Sequence, residues 1–553
     1  MTGHGAGGHV FCSAPTEPGA PGARHAAASH HRPLPPRQTR PLVCTKPAGM
    51  YHELHAMLCQ TPADRLSGAG LLLPAALTET LGVKALPDER VGALSRPQEG
   101  RKKQISEAAR TIPVLHETDV LVVGSGPGGL AAAVGAARAG VRTTLVDRYG
   151  CFGGVITQAG VESVAWYRHE GTVDVEGIGI EFERRAKAMG GTEPESQSQS
   201  EALNPELFKV VADELVQEAG VEPLLHCLAV DTIMDGGTIK GVVTESKSGR
   251  QAILAGRVVD ATGDADIAFR AGAPCRTTPL DEAMGVTVTF SCAGVDKQRF
   301  LDYVKAQAPT YKDWSTGWRI ETSGKEDDLF SPYLQEPFEL ARQAGMIPED
   351  MRSIGGTWGR ISDSGEATYL NLVFMRGYDC TDVRDLTRAE IEGRRQALLA
   401  IAALRRFAPG FENARLRSFG MTLGTRDSRK ILGRYDLTGH DVRNEARHED
   451  SIGIFPEFID GYGILILPTT GRYFQVPYGI LVPRKVDNLL VAGRCVAGDK
   501  VSHAATRNQM CCAVTGQAAG VAAAVSFKVG MTTGAVDVAR VQAALKSQGV
   551  RLF

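Results

Sequence analysis

The chain has 553 residues, with 61 Lys+Arg against 63 Asp+Glu and a formal charge of −2. That balance gives no global electrostatic reason to expect a nucleic acid or an anionic membrane as partner. With 43% hydrophobic and 22% charged residues a sizeable core can be buried, and 63 glycines, roughly 11% against a usual ~7%, call for many tight turns without the G-X-Y period of collagen.

The 11 cysteines form no C-x-x-C pair, and only Cys511 and Cys512 adjoin. This fits neither a disulfide framework nor a Cys-rich metal or iron–sulfur pattern, so no metal site is expected and a reduced compartment, the cytoplasm, is favoured. Residues 1–50 hold eight prolines, five histidines and four arginines against the single acid Glu17. Such a segment buries too little apolar surface to offset ordering, so residues 1–100 are expected to be a disordered extension. The first fifty residues also read as an organelle transit peptide, or as translation begun upstream of Met50. Between 51 and 110 only Ala69–Leu77 looks able to pack.

The strongest pattern begins at Thr118. Asp119–Val123 is an apolar run of the kind a buried parallel strand shows, Leu130–Ala139 is an Ala-rich helix closed by Gly140, and Val141–Val146 is a second strand ending at Asp147. Between the first strand and the helix, Gly124, Gly126 and Gly129 fit G-x-G-x-x-G within Gly124-Ser125-Gly126-Pro127-Gly128-Gly129. The first glycine permits a tight turn, the second lets backbone approach a pyrophosphate, and the third lets helix pack on strand. Asp147 lies where a carboxylate can accept from ribose hydroxyls.

Asn204–Ala219 reads as a helix with Leu207, Val210, Val211 and Leu215 on one face. Leu224–Leu228, Ala229–Met234, Gly241–Glu245 and Ala252–Leu254 read as strands, and Arg257–Gly263 runs a strand into a small-residue turn. In the middle region Val286–Ser291 and Tyr369–Met375 are strand-like. Thr387-Arg-Ala-Glu390 predicts a capping box opening a helix through Phe407, ended by Pro409-Gly410. Trp314, Trp318 and Trp358 are expected in a core or in pocket walls, core being favoured. The run Cys511–Phe527, interrupted by Gly516, Gln517, Gly520 and Ser526, is shorter than the ~20 apolar residues of a span, so no transmembrane helix is expected.

Four segments together resemble the broad bacterial family of FAD-dependent oxidoreductases of glutathione-reductase-type fold, distantly similar to fumarate reductase and succinate dehydrogenase flavoproteins. They are Asp260-Ala-Thr-Gly-Asp-Ala-Asp-Ile-Ala268; Tyr149-Gly-Cys-Phe-Gly-Gly154; Gly424-Thr-Arg-Asp-Ser-Arg-Lys430, with Asp427 replacing the usual Glu; and Asn488–Arg494 followed by Ser502-His503, Arg507 and Thr515–Gly520. The resemblance covers about residues 111–553. It implies an α/β fold: a split Rossmann-like FAD-binding domain over 111–275 and 476–553, with an inserted α+β substrate or cap domain over 276–475.

Carried over position by position, the resemblance places Gly124, Ser125, Gly126, Gly128 and Gly129 at the pyrophosphate, Asp147 at the adenosine ribose and Arg148 beside the adenine. Gly153 and Gly154 lie on the flavin side, Val230 is a backbone contact to adenine, and Ala261, Thr262 and Gly263 pass the ribityl–phosphate region. Gly493 and Arg494 reach the remaining phosphate and ribityl hydroxyls. A helix from about Met510, with Gly516 and Gln517, aims its N-terminus at the flavin pyrimidine, where a helix dipole stabilises the charge that grows on reduction.

No second G-x-G-x-x-G is present, so no pyridine-nucleotide domain is visible and the electron donor or acceptor stays open. No His-Thr segment lies near Gly154, so the FAD is expected to be noncovalent. The implied function is hydride transfer between a small organic substrate and the flavin; a flavin monooxygenase or oxidase is the alternative. A non-redox or tRNA-handling flavoprotein is a reading of another class, disfavoured by the lack of a basic cluster. Four residues are candidates for catalysis. His503 suits proton transfer, or else hydrogen-bonds backbone or flavin. Arg507 suits an anionic substrate or the reduced flavin, or else a structural ion pair. His169 lines a pocket or sits in an exposed loop. Arg426, with Arg429, clamps a carboxylate or joins a structural network around Asp427.

Overall fold

A computed structural model describes residues 105–553 except 165, 169–174, 195–197, 199, 307–317 and 323–332. The expected disordered extension, His169 and Trp314 lie outside the described residues. The glycine-turn unit forms as strand β1 (Val114–Val123), helix α1 (Pro127–Arg138) and strand β2 (Thr143–Val146). Val120–Val123 are buried, and β1 lies between two parallel neighbours, which is why its sequence is a continuous apolar run. Gly126 caps α1 and Pro127 opens it, where a missing N–H removes no helical bond.

Helix α2 (Pro205–Glu218) is capped by Asn204, whose side chain accepts from the Glu206 and Leu207 amides. It buries Phe208, Val211, Ala212, Leu215 and Val216, while Val210 is 42% exposed. The expected face is corrected: Phe208 opens the i, i+3, i+4, i+7 stripe, and Leu207 and Val210 lie off it. Strand β3 (Glu222–Leu224) is followed by a turn at His226, φ 54°, rather than by the expected strand through Leu228. A meander of β4 (Leu228–Asp235), β5 (Thr238–Ser246) and β6 (Gly249–Asp260) then returns to β1. The sheet order is β3-β2-β1-β6-β5-β4. The strand Leu489–Val491, far along the chain, pairs in parallel with Val258–Asp260 and completes the parallel core.

A second sheet is antiparallel. β7 (Phe290–Ala293) and β8 (Ile354–Thr357) pair with opposite edges of β9 (Glu366–Met375). Helix α3 (Val383–Phe407) follows, and β10 (Arg415–Phe419) pairs with the outer edge of β7. Its core runs from Val286 to Leu423 and contains Phe300, whose ring meets Trp358 at 5.2 Å and Phe411 at 4.9 Å, both edge-on. The expected capping box at Thr387 falls inside α3. Asp382 is the cap, and Thr387 Oγ1 donates to the Val383 carbonyl one turn back. From Ile431 to Val482 the chain packs into the first core, with Leu437, Phe455 and Phe474 in the same cluster as Val120 and Leu130. The inserted part expected over 276–475 thus divides, its residues up to Leu423 forming their own core and those from Ile431 onward joining the first.

Late in the chain come α4 (Lys500–Thr506) and α5 (Gln509–Lys528), followed by a shorter helix over Val538–Ser547. α5 has 20 residues and an 18-residue window of mean hydropathy 1.5, long and apolar enough to cross a membrane, and 89% of that window is buried inside the fold. It is longer than the run recognised in the sequence because Gln509 and Met510 already belong to it. A Cβ on Gly516 would stand 2.0 Å from the Gly128 carbonyl oxygen, and one on Gly520 1.9 Å from that of Ala132. Only glycine lets α5 approach α1 so closely.

Candidate active site

The loops after β1, β2, β6 and Leu489–Val491 all leave the same edge of the parallel sheet, where such folds place ligands. They open onto a cavity of about 1380 Å³ that continues to the second sheet. Gly124 turns with φ +97°, and a Cβ there would lie 2.4 Å from the Ala261 carbonyl oxygen. A Cβ on Gly129 would lie 1.8 Å from the Gly124 oxygen, so this glycine packs helix on strand. Gly126 differs: a Cβ there would meet only the Gly154 Cα, at 3.9 Å. The space before it is open cavity, and no side chain caps the N–H groups of α1 that face it. A backbone cradle of free N–H groups that a Cβ would fill suits a pyrophosphate.

Asp147 is buried at the end of β2 and lines this cavity. Its Oδ2 accepts from Ser125 N (2.8 Å) and Ser125 Oγ (2.5 Å), and its Oδ1 from Tyr149 N (2.8 Å). The acid thus fixes the glycine turn and keeps lone pairs for a ribose. Arg148 and Gly154 also line the cavity. Gly153, φ +108°, is held by its N–H on the Ser125 carbonyl. Leu228 and Ala229, not Val230, form the wall beyond Asp147, because the turn at His226 shifts the strand.

Asp260 is wholly buried and organises the third loop. Its carboxylate accepts from Thr262 N and Oγ1 and from the Ile267 and Ala268 amides. Burial pushes its pKa up to about 6 against those bonds. Ala261, Thr262 and Gly263 line the cavity, as do Gly493 and Arg494. The Arg494 guanidinium is already engaged by the Gly263 and Thr425 carbonyls and the Asp264 carboxylate. It braces the loops and has little left for a phosphate.

Gly516 and Gln517 are corrections. Gly516 packs on α1, and the buried Gln517 accepts from Ile178 N (2.9 Å) and donates to Gln548 (3.1 Å); neither lines the cavity. The part of α5 that faces the cavity is its start, where Arg507, Asn508, Gln509 and Cys512 form the wall.

His503 is a further correction. It is 1% exposed and absent from the cavity wall, and its Nε2 meets the Arg426 carbonyl at 3.0 Å. Burial and the nearby Lys430 charge hold its pKa well below the ordinary value. It is a neutral packing residue beneath the segment that carries Arg426. Beside it lies a buried network: Asp427 accepts from Lys430 Nζ and from the Tyr462 hydroxyl, both at 2.6 Å. Burial opposes the Asp427 charge, yet the Lys430 charge and the hydrogen bonds from Lys430 and Tyr462 hold its carboxyl below the usual range.

Arg426 and Arg507 do reach the cavity. Arg507 Nη2 pairs with Asp460 Oδ2 at 3.0 Å and also donates to the Asp460 carbonyl. Arg426 donates to the Gly285 carbonyl (3.3 Å) and to Asn371 Oδ1 (3.2 Å), its guanidinium 4.9 Å from the Phe374 ring. Arg429 is instead taken up by Asp266. Thr287, Tyr369, Asn371, Phe374 and Tyr462, which the sequence does not mark as site residues, line this wall with Trp318, which takes the pocket-wall alternative rather than the favoured core. Asn371, an amide inside the otherwise apolar run Leu370–Met375, was the available signal.

The family model for FAD dependent oxidoreductases matches residues 119–545. The dihydrolipoyl dehydrogenase of Trypanosoma brucei brucei is 43% identical over 51 residues, 9% of this chain and 11% of that protein, so the chain matches only a short stretch of that relative. Among solved structures, a geranylgeranyl bacteriochlorophyll reductase-like protein from Thermoplasma acidophilum is 13% identical, covering 79% of this chain and 85% of its own, with a TM-score of 0.40. The p-nitrophenol 4-monooxygenase PnpA of Pseudomonas putida is 11% identical, covering 78% and 88%, with a TM-score of 0.37. A glycine cradle, an acid after β2 and a family match over most of the described chain agree: the protein belongs to the FAD-dependent oxidoreductases.

Proposed function

We propose that the protein transfers a hydride between a small organic substrate and noncovalently held FAD. The observation that carries this reading is the single cavity that runs from the α1 cradle to the wall built by β9 and the Arg426 segment. In this reading Gly124–Gly129 receive the pyrophosphate, Asp147 the adenosine ribose, and the start of α5 lies toward the flavin pyrimidine. FAD supplies the hydride-accepting ring. The chain's own contribution is to hold the substrate against the Arg426 side of the cavity and to exclude water behind Phe374 and Trp318.

The full-length protein tests this directly. It should be yellow and release FAD on denaturation. A panel of substrates screened without oxygen should include one that bleaches the flavin. If bleaching never occurs but oxygen is consumed with formation of a hydroxylated product, the protein is a flavin monooxygenase, and the hydride-transfer reading fails. Fold alone does not choose between the two.

A further inference from the structure

The arginines that line the cavity fall into two groups. Arg429, Arg494 and Arg507 pair with Asp266, Asp264 and Asp460, Arg352 lies 3.6 Å from Glu339, and Arg148, Arg270 and Arg376 are exposed to water. Arg426 belongs to neither. It is half-buried, and among the described residues it makes no ion pair; its partners are a carbonyl and an amide oxygen at 3.2–3.3 Å, long for a guanidinium. Burial, with the like charge of Arg507 added, pushes its pKa down to about 10. A half-buried guanidinium that faces the cavity with only neutral acceptors keeps donors free for an anion.

The surroundings are arranged for one. Asn371 Oδ1 accepts from Arg426 and lies 2.6 Å from Thr287 Oγ1, whose single proton also faces the Val373 carbonyl at 2.6 Å; the Arg426 bond turns the amide oxygen toward the guanidinium and leaves the NH₂ group as a further donor. Arg507 Nε is buried and makes no hydrogen bond among the described residues. Phe374 lies beside the Arg426 guanidinium and steadies its plane. The charge count is also specific. Asp460 is paired with Arg507, so among the described residues Arg426 has no carboxylate of its own; one single negative charge balances it, whereas a phosphate dianion over-fills it.

We infer that this wall is the substrate's anion subsite: the substrate is an organic carboxylate, its carboxyl group received by Arg426 and Asn371 with Arg507 alongside, and its body against Phe374 and Trp318. The inference rests on the FAD-dependent reading above. Planar carboxylate on a planar fork gives two parallel N–H···O bonds, so it orients the substrate as well as holding it.

The test uses the full-length holoprotein and the perturbation of its flavin absorption. The probes are benzoate, phenylacetate and succinate, with benzamide and inorganic phosphate as controls. At least one carboxylate should bind saturably, and benzamide should not. Arg426→Gln should weaken that carboxylate by about 10²-fold and Arg426→Lys by about 10-fold, because the ammonium keeps the charge and loses the fork. FAD content and the flavin reduction potential should stay near wild type in both variants. If no carboxylate binds a protein that carries FAD, or if phosphate binds as well as benzoate, the inference is overturned and the FAD reading survives. If Arg426→Gln instead shifts the potential or FAD affinity and leaves carboxylate affinity intact, the arginine serves the flavin and the inference is overturned. A protein that takes up no FAD overturns the function reading itself.

Discussion

The cavity has two sides built by opposite means. The cradle side is backbone: its shape comes from glycines, of which Gly124, Gly129 and Gly154 have no room for a Cβ beside neighbouring main-chain atoms, and from Asp147 and Asp260, whose oxygens accept from main-chain amides. The other side is side chain: Asn371 and Phe374 of β9 and Arg426, Tyr462 and Arg507 from later parts of the chain meet only in the folded protein. A backbone-built side suits a ligand that is always the same. A side-chain-built side can be altered one residue at a time, which suits the choice of substrate.

Substitutions can break or sharpen this contrast. The largest effect is expected for Gly516→Val, since even its Cβ would overlap the Gly128 carbonyl; a loss of about 4 kcal/mol or more should appear in urea unfolding, with FAD lost too. Asp427→Ala should follow, at about 3–5 kcal/mol, because it strands the buried Lys430 ammonium. The double change Asp427→Leu with Lys430→Met should recover part of that loss; no recovery would mean the pair's hydrogen bonds to Tyr462 and Thr278 dominate.

Gly126→Phe should separate cofactor from fold. Its side chain points into open cavity, so FAD affinity should fall by about 10²-fold or more while the urea midpoint moves little. A collapse of stability there would show that the cradle is not open.

His503→Gln should have the smallest effect, and it is visible through pH. The folded pKa of His503 lies below its unfolded value of about 6.5, so the unfolded chain binds more protons as pH falls. The stability tied to the neutral ring is therefore fully present above about pH 6.5 and is lost progressively below it. His503→Gln should flatten that acid limb in urea titrations. It should also slow substrate-driven flavin reduction by less than the ~10²-fold expected of a positioned acid or base. A larger slowing would restore a proton-transfer role.

The contrast also explains what was legible in the sequence. The cradle could be read because its requirements are local: a turn, a close approach and an acid at fixed spacing each demand a residue type at a given position. The wall could be read only where a motif happened to cross it, at Arg426 and Arg507. Asn371 and Phe374 become site residues through the pairing of β9 with β7 and β8, a non-local event. The errors have the same origin. Gly516 and Gln517 look like ligand-binding residues in a line of text, but small residues serve helix contact equally well, and only the partner helix decides. His503 sits beside the right segment, yet its side chain faces inward, which sequence spacing does not reveal.

The contact between α5 and α1 has a consequence for synthesis. The Gly128 face of α1 leaves the ribosome well before its covering helix, with most of the described chain made in between. Until then the parallel sheet also lacks Leu489–Val491, so the first domain cannot close around its nascent half. Its folding is tied to a contact of very large sequence separation and hence to slow, late assembly. The second sheet, whose core lies wholly between Val286 and Leu423, has all its parts earlier. A message truncated before Gln509 therefore yields a polypeptide with a complete middle and an unfinished cofactor domain, a product for the quality-control proteases rather than a weaker enzyme.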